Sequence, residues 1–127
     1  MLAVLISIQP YWCHKIIQLI KTFELRKSEP RLKTPFKCYI YMTATKRGGP
    51  LREWDTAYET PSGELRDGSQ KIIGEFICDS IAPVTQQNRH AISEASCIPL
   101  PDMYTYAGSR GIYGLKAWHI SELKIYD

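Results

Sequence analysis

The first 27 residues constrain the fold most, because they predict a strand, a helix and a second strand in close succession. Residues 2–8 are rich in Val, Leu and Ile, which is typical of a strand that is buried on both faces. Pro10 follows at a position that the first turn of a helix tolerates. Apolar residues at helical spacing then predict a helix over residues 10–20. Residues 23–27 alternate between apolar and polar side chains, which predicts a half-buried strand.

The later part of the chain predicts further strands. The segments are residues 36–42, 71–78, 113–120 and 123–126. Gly74 indicates a bulge or a bend within its strand. Residues 82–111 give no firm prediction of structure. With 127 residues and 44% hydrophobic side chains, the chain is long enough to bury a core, so we expect one α+β domain over residues 1–127.

Residues 44–70 differ in composition from the rest of the chain. They are rich in Gly, Pro, Ser and Asp, and such residues are typical of turns and loops. Trp54 and Tyr58 are isolated aromatic residues in this segment. We therefore expect a polar insertion that leaves the core, with a hairpin across residues 61–63.

Several classes of protein are disfavoured by the sequence. The apolar opening lacks a basic leader and is too short to cross a bilayer, so we expect a cytoplasmic protein without a membrane partner. The four cysteines, at positions 13, 38, 78 and 97, are too far apart in sequence for a zinc ribbon. We expect them to be reduced and buried, and we expect neither a metal nor a cofactor.

The charge of the chain is unevenly distributed. The formal net charge is +3, but residues 1–52 carry ten basic and two acidic side chains, whereas residues 53–127 carry six and eleven. A positive field over one part of the surface favours a polyanionic partner such as RNA. The alternative is a solvated basic face without a partner.

Lys21, Glu24 and Arg26 are the candidate site. On a strand, Glu24 and Arg26 point to the same side, and Lys21 stands at the predicted end of the helix. Two interpretations of Glu24 and Arg26 are open: a partly buried ion pair that braces the fold, or a pair that binds a ligand. Lys21 is likewise either a surface lysine near the helix end or a group that contacts phosphate or transfers a proton.

The motifs resemble a known family. Leu5-Ile-Ser-Ile-Gln-Pro10 followed by Lys21-Thr-Phe-Glu24-Leu-Arg26-Lys27 is similar to the signature of the ASCH family, within the PUA-like superfamily. Three later segments resemble the strands of phage and prophage ASCH proteins in the same order: Phe36-Lys-Cys-Tyr-Ile-Tyr41, Lys71-Ile-Ile-Gly-Glu-Phe76 and Trp118-His-Ile-Ser-Glu-Leu-Lys-Ile-Tyr-Asp127. The resemblance implies a small, mostly antiparallel PUA-like β-barrel with one packed N-terminal helix.

The resemblance also implies binding of RNA, a nucleotide or a nucleoside. Small ASCH amidohydrolases cleave acetylcytidine with a Lys, a Thr nucleophile three residues later and a distant Glu. Here Lys21 matches the Lys, but Glu24 stands at the nucleophile position, and Glu75 is the residue that could match the distant Glu. Many relatives also have Gly near the end of the first helix, where this chain has Leu19 or Ile20.

Further side chains are candidates for contacts with a nucleic acid. Lys27 and Lys37 would follow the phosphate backbone, while Tyr11, Tyr39 and Tyr41 occupy polar-facing positions from which they could stack on bases. Trp12 and Trp118 are instead expected in the core. His119 and His14 are more often structural residues than catalysts at such positions.

Three functional hypotheses follow from these features. The first is a module that binds RNA or a nucleotide through a basic pocket around Lys21, Glu24 and Arg26. The second is a hydrolase that uses Lys21 and Glu24 for proton transfer, as a ribonuclease or as an acetylcytidine amidohydrolase. The third is a phage accessory protein that binds a host protein through Trp54 and Tyr58.

Overall fold

The computed structural model describes residues 2–44 and 56–127. Trp54 lies outside the described residues. The described elements are β1 (Ala3–Ile8), α1 (Pro10–Ile17), β2 (Phe23–Arg26), β3 (Phe36–Met42), β4 (Ala57–Glu59), β5 (Leu65–Asp67), β6 (Lys71–Pro83), α2 (Arg89–Ser96), α3 (Leu100–Ala107) and β7 (Lys116–Ile125). Two 3-10 turns, Gly108–Arg110 and Ile112–Gly114, connect α3 to β7.

Five strands form one mixed sheet in the order β1-β3-β6-β7-β2. β1 runs parallel to β3, and the other neighbouring pairs in this sheet are antiparallel. A parallel pair needs a crossover connection, which α1 and β2 supply here. The sheet is therefore a half-barrel whose edge strands are β1 and β2, and the expected small α+β barrel is confirmed at this level.

Two clusters of buried side chains lie against this sheet. The first includes Ile6, Cys13, Cys38, Phe76 and Trp118, which confirms the prediction that Trp118 belongs to the core. The second includes Leu25, Ile92, Met103, Leu115 and Ala117. Because its members come from β2, α2, α3 and β7, the second cluster fixes the C-terminal helices against the edge strand β2.

The C-terminal half differs from the prediction in two respects. Residues 82–111, for which no structure was predicted, contain the end of β6, α2 and α3, so the described residues form three helices and the expectation of one N-terminal helix is wrong. The two predicted final strands are one strand, β7, which passes through Glu122 with a φ of 48°. A left-handed residue other than glycine is uncommon, and nothing in the Ser121-Glu122 sequence indicates that the strand continues through it.

Helix α1 begins at Pro10 as predicted but ends at Ile17 rather than at residue 20. Leu19 has a φ of 62°, the left-handed conformation that commonly ends a helix and that favours glycine. The backbone N–H groups of Ile20 and Lys21 both donate to the Lys15 carbonyl. This turn directs the chain into β2, and Leu19 adopts the left-handed conformation although it is not a glycine.

The polar insertion contains the predicted hairpin, since β4 and β5 pair on either side of residues 60–64. Tyr58, however, is only 7% exposed and belongs to the first core cluster. It therefore anchors the hairpin to the core and offers little surface to a protein partner. The predicted irregularity at Gly74 is confirmed, because the β3–β6 register shifts beside its partner Ile40 and a Cβ at Gly74 would lie 2.6 Å from the Lys124 carbonyl oxygen.

The cysteines are unpaired thiols. Cys13, Cys38 and Cys78 are buried as predicted, and Cys97 is half-buried. Burial raises the pKa of the Cys13 thiol to about 12. Among the described residues, no cluster of three His, Cys, Asp or Glu side chains could hold a metal ion. No helix in residues 2–44 or 56–127 is both long and apolar enough to span a bilayer.

Candidate ligand-binding cleft

The open seam of the half-barrel lies between its edge strands, β1 and β2. Arg26 is the last residue of β2, and its Nη2 donates a hydrogen bond of 2.8 Å to the Ser7 carbonyl oxygen on β1. One side chain thus bridges two strands that are at opposite ends of the sheet order. The backbones of β1 and β2 are not paired in the sheet. A gap therefore remains between the two strands.

A cleft of about 320 Å³ occupies this gap on the side of the helices. Its lining combines charged, polar and aromatic side chains from β1, α1, β2 and α3: Ser7, Trp12, Glu24, Arg26, Asp102 and Tyr106. Ligand pockets typically measure about 300–1,000 Å³, so the cleft suits a small ligand. Polar groups converging on a mostly apolar cavity are the usual composition of such a site.

Glu24 lies between the two cations of the predicted site. Its Oε1 is 3.8 Å from Lys21 Nζ, and its Oε2 is 3.9 Å from Arg26 Nη2. A charge-assisted hydrogen bond measures about 2.7–2.9 Å, so both contacts are ion pairs without a close hydrogen bond. The Glu24 carboxylate therefore balances the buried charge while keeping acceptor capacity toward the cleft.

Lys21 is behind the cleft wall. Its side chain has no exposed surface, and its Nζ donates to the Ser96 carbonyl oxygen at 2.8 Å and lies 5.2 Å from the centroid of the Trp12 ring. Burial lowers the pKa of Lys21, while the Glu24 carboxylate opposes that shift. The interpretation of Lys21 as a surface lysine is wrong, and its amine supports Glu24 and Trp12 from within the protein.

Arg26 retains donors that could serve a ligand. Its side chain is 28% exposed, and its buried Nε has no hydrogen-bond partner within the described parts of the chain. A buried donor that lacks a partner is unfavourable. The exposed part of the guanidinium remains available to donate to a ligand in the cleft.

Helix α3 contributes Asp102 and Tyr106, which sequence reasoning missed. Lys27 Nζ lies 4.9 Å from the centroid of the Tyr106 ring, so this predicted contact residue stands beside the cleft. The helix could have been found from Pro101 and Asp102 in its first turn, because proline and acidic residues are favoured at helix starts. Its position beside β2 depends on tertiary packing and has no local signal.

Lys37, Tyr39 and Tyr41 lie on the other face of β3, because residues of this strand alternate between buried and half-buried positions. Lys37 Nζ forms a 2.9 Å ion pair with Glu75. Glu75 also accepts a 2.8 Å hydrogen bond from the Tyr126 hydroxyl. The structure thus does not bring these residues into the cleft, and the position of Glu75 does not support its match to the distant amidohydrolase Glu.

The other aromatic and histidine candidates have separate positions. Tyr11 packs edge-on against Trp12, with ring centroids 4.7 Å apart, so it is adjacent to the cleft wall. Trp12 itself is half-buried and contacts both the core and the cleft. His119 pairs with Asp79 at 2.7 Å, and it follows the inward-pointing Trp118 on β7, so it faces away from the core.

These features define a class of protein: a small mixed α+β half-barrel with a charged and aromatic cleft at its open seam. The crystal structure of a mutant of the ASCH protein from Zymomonas mobilis has this fold, with a TM-score of 0.65, 14% sequence identity and coverage of 95% of this chain and 70% of that chain. The crystal structure of ASCH from the same organism gives a TM-score of 0.62 at 15% identity, over 95% and 68% of the two chains. No protein-family model and no curated protein matches the sequence. The chain therefore has the fold of ASCH proteins.

Proposed function

We propose that this chain is a single ASCH-type, PUA-like domain that binds RNA, or a nucleotide or nucleoside, in the cleft between its edge strands. The observation that carries this proposal is the combination of Glu24 and Arg26 with aromatic side chains in one small cavity. A nucleobase offers both donors and acceptors on its edge and a flat face for stacking. The cleft supplies a complement to each of these.

Each group has a distinct part in the proposed complex. Trp12 and Tyr106 contribute aromatic surface for stacking on the base. The carboxylates of Glu24 and Asp102 accept hydrogen bonds from an exocyclic amine, and the Arg26 fork donates to a carbonyl or a phosphate. Lys21 does not touch the ligand in this arrangement but keeps Glu24 in place.

The distribution of charge supports an anionic ligand. Residues 1–52 have an excess of eight basic side chains, and this part of the chain supplies three of the four elements that line the cleft. A positive field increases the rate of association with nucleic acid and makes affinity depend on salt. Lys27, beside Tyr106, adds a charge near the cleft.

Two tyrosines of α3 offer a matched test. Tyr106 lines the cleft, while Tyr104 is exposed on the same helix outside it. We expect Tyr106→Ala to weaken binding of labelled single-stranded RNA by about tenfold, which corresponds to the loss of one stacked base, and Tyr104→Ala to leave binding unchanged. Fluorescence anisotropy at low and moderate salt measures both dissociation constants.

The outcomes distinguish two surfaces. Equal effects of the two tyrosine variants would contradict the cleft as the binding site. A loss of affinity in Tyr39→Ala instead of Tyr106→Ala would indicate that RNA binds on the outer face of β3, where Lys37 and Tyr41 also lie.

A second candidate function, a ribonuclease, is favoured by the position of Glu24. Its carboxylate lines the cleft beside the buried Lys21 ammonium, where it could accept a proton from a ribose hydroxyl. Glu24→Gln keeps the side-chain shape but removes the base, so cleavage of labelled RNA should fall while binding persists. Cleavage that survives in this variant would exclude Glu24 as the proton acceptor.

A further inference from the structure

The gap between the edge strands continues past Arg26 into a second compartment. This compartment measures about 360 Å³. Its lining includes Leu5, Ser7, Arg26, Ser28, Glu29 and Trp118. Ser7 and Arg26 line both compartments, so the bond between Arg26 and the Ser7 carbonyl is the boundary between two neighbouring cavities.

Arg26 is placed to contact a ligand that extends through both compartments. Its guanidinium lies between them, and its side chain is 28% exposed. Any chain that passes from one compartment to the other must pass this group. Arginine binds phosphate with a planar fork of donors, so a phosphate at this boundary fits the geometry.

The surroundings of the second compartment favour a continuing polyanion. Arg31 and Lys33 follow in the β2–β3 connection and are exposed. A further depression of about 410 Å³ shares Glu29 with the second compartment and is lined by Lys33. The cavities thus form a row that leads from the aromatic cleft toward basic side chains.

We propose that the second compartment holds the nucleotide next to the one in the cleft, with Arg26 on the phosphate that joins them. This inference rests on the proposed function, and it specifies that the ligand is a single strand of RNA and not a free nucleoside. Two neighbouring bases in separate cavities cannot remain stacked on each other as they are in a duplex. An extended peptide that adds to β1 is disfavoured, because the Ser7 carbonyl already accepts from Arg26.

Leu5 provides the test, since it lines the second compartment only and is 58% exposed. Leu5→Glu places a negative charge beside the proposed sugar and phosphate without disturbing the core. Leu65→Glu is the matched control, because Leu65 is 76% exposed on the β4–β5 hairpin. The ligands are a labelled single-stranded RNA hexamer of mixed sequence and the common ribonucleoside 5′-monophosphates as competitors.

We expect Leu5→Glu to weaken binding of the hexamer by about tenfold or more while the monophosphates compete as they do with the unmodified protein. Leu65→Glu should change neither affinity, and thermal unfolding should show that both variants fold.

Two results would overturn the inference. If Leu5→Glu binds the hexamer as before while Tyr106→Ala loses affinity, the second compartment is not a binding site. The proposed function would remain intact. Failure of the unmodified protein to bind either ligand would contradict both the proposed function and this inference.

Discussion

Two lysine–glutamate pairs in this chain show what different surroundings do to the same two side chains. Lys37 and Glu75 lie on the outer face of the sheet, 2.9 Å apart, and the Tyr126 hydroxyl completes the group. Lys21 and Glu24 lie 3.8 Å apart at the seam, and neither side chain is more than 10% exposed. The outer pair shares a close hydrogen bond, whereas the inner pair has none but is more deeply buried.

The comparison distinguishes an ion pair that connects two strands, Lys37 and Glu75, from a pair at the candidate cleft, Lys21 and Glu24. Hydrogen bonding to Glu75 raises the pKa of Lys37, whereas burial lowers the pKa of Lys21. Each side chain of the outer pair is held by the other in its charged form. In the inner pair, Lys21 donates to the Ser96 carbonyl, so the Glu24 carboxylate keeps acceptor capacity on the side of the cleft.

The largest expected effect comes from breaking the two pairs in turn. Lys21→Met leaves Glu24 buried with less compensation and removes the donor to the Ser96 carbonyl, so we expect a loss of about 3 kcal/mol in the free energy of unfolding. Lys37→Met acts on a partly exposed pair, and its effect should be clearly smaller. Denaturant unfolding measures both, and equal losses would contradict the comparison.

The second-largest effect is expected for Arg26, which also forms an ion pair with Glu24. Arg26→Lys removes the planar fork that reaches the Ser7 carbonyl and Glu24 but keeps the charge. We expect RNA affinity to fall about tenfold, or about 1.4 kcal/mol. Arg31→Lys, at an exposed position of the β2–β3 connection, is the control and should keep full affinity. A loss that is equal in the two variants would mean that charge alone governs binding.

The two lysines should also respond to alkaline pH with opposite signs. The pKa of Lys21 is lowered from its ordinary value of 10.5, so between the folded-state pKa and 10.5 the unfolded chain binds more protons and stability rises with pH. The pKa of Lys37 is raised above 10.5, so its contribution is lost as pH rises beyond that value.

The difference in unfolding free energy between the unmodified protein and each methionine variant isolates these two contributions. Measured from about pH 8 to about pH 11.5, the difference should grow for Lys21→Met and shrink for Lys37→Met. The same sign for both lysines would show that burial does not dominate at Lys21.

The smallest effect is expected from Glu75→Gln. Hydrogen bonds from Lys37 and Tyr126 lower the pKa of Glu75 from its ordinary 4.5, so the stability that it contributes is present above pH 4.5 and is lost as pH falls through the folded-state pKa. The gap in unfolding free energy between the unmodified protein and Glu75→Gln should therefore close under acidic conditions. RNA binding at neutral pH should be unchanged, and a clear loss would return Glu75 to the candidate site.

The sequence was informative where the signal was local. Alternation placed β3 at its observed bounds, proline placed the start of α1, and the motif brought Lys21, Glu24 and Arg26 together as expected. Alternation along β2 did not reveal that both faces of the strand are covered. Leu25 packs against α2 and α3, while Glu24 faces the seam.

What the sequence did not reveal depends on distant parts of the chain. Asp102 and Tyr106 reach the cleft only because the second core cluster docks α3 beside β2. The outward direction of Tyr39 and Tyr41 was predicted correctly, but a polar-facing side chain has no local signal that assigns it to the seam or to the outer face. Glu122 joins two predicted strands through an uncommon backbone conformation, which its residue type does not predict.

The anchoring of β2 to α2 has a consequence for the order in which the molecule folds. The Thr22 N–H donates to the Ala95 carbonyl, and Lys21 Nζ donates to the Ser96 carbonyl 75 residues further along the chain. Each of these contacts closes a long loop and must offset the entropy cost of that closure. The cleft is therefore completed only after most of the chain has been synthesised, and an N-terminal fragment that carries the whole motif would still lack the carbonyl groups that hold Lys21 in place.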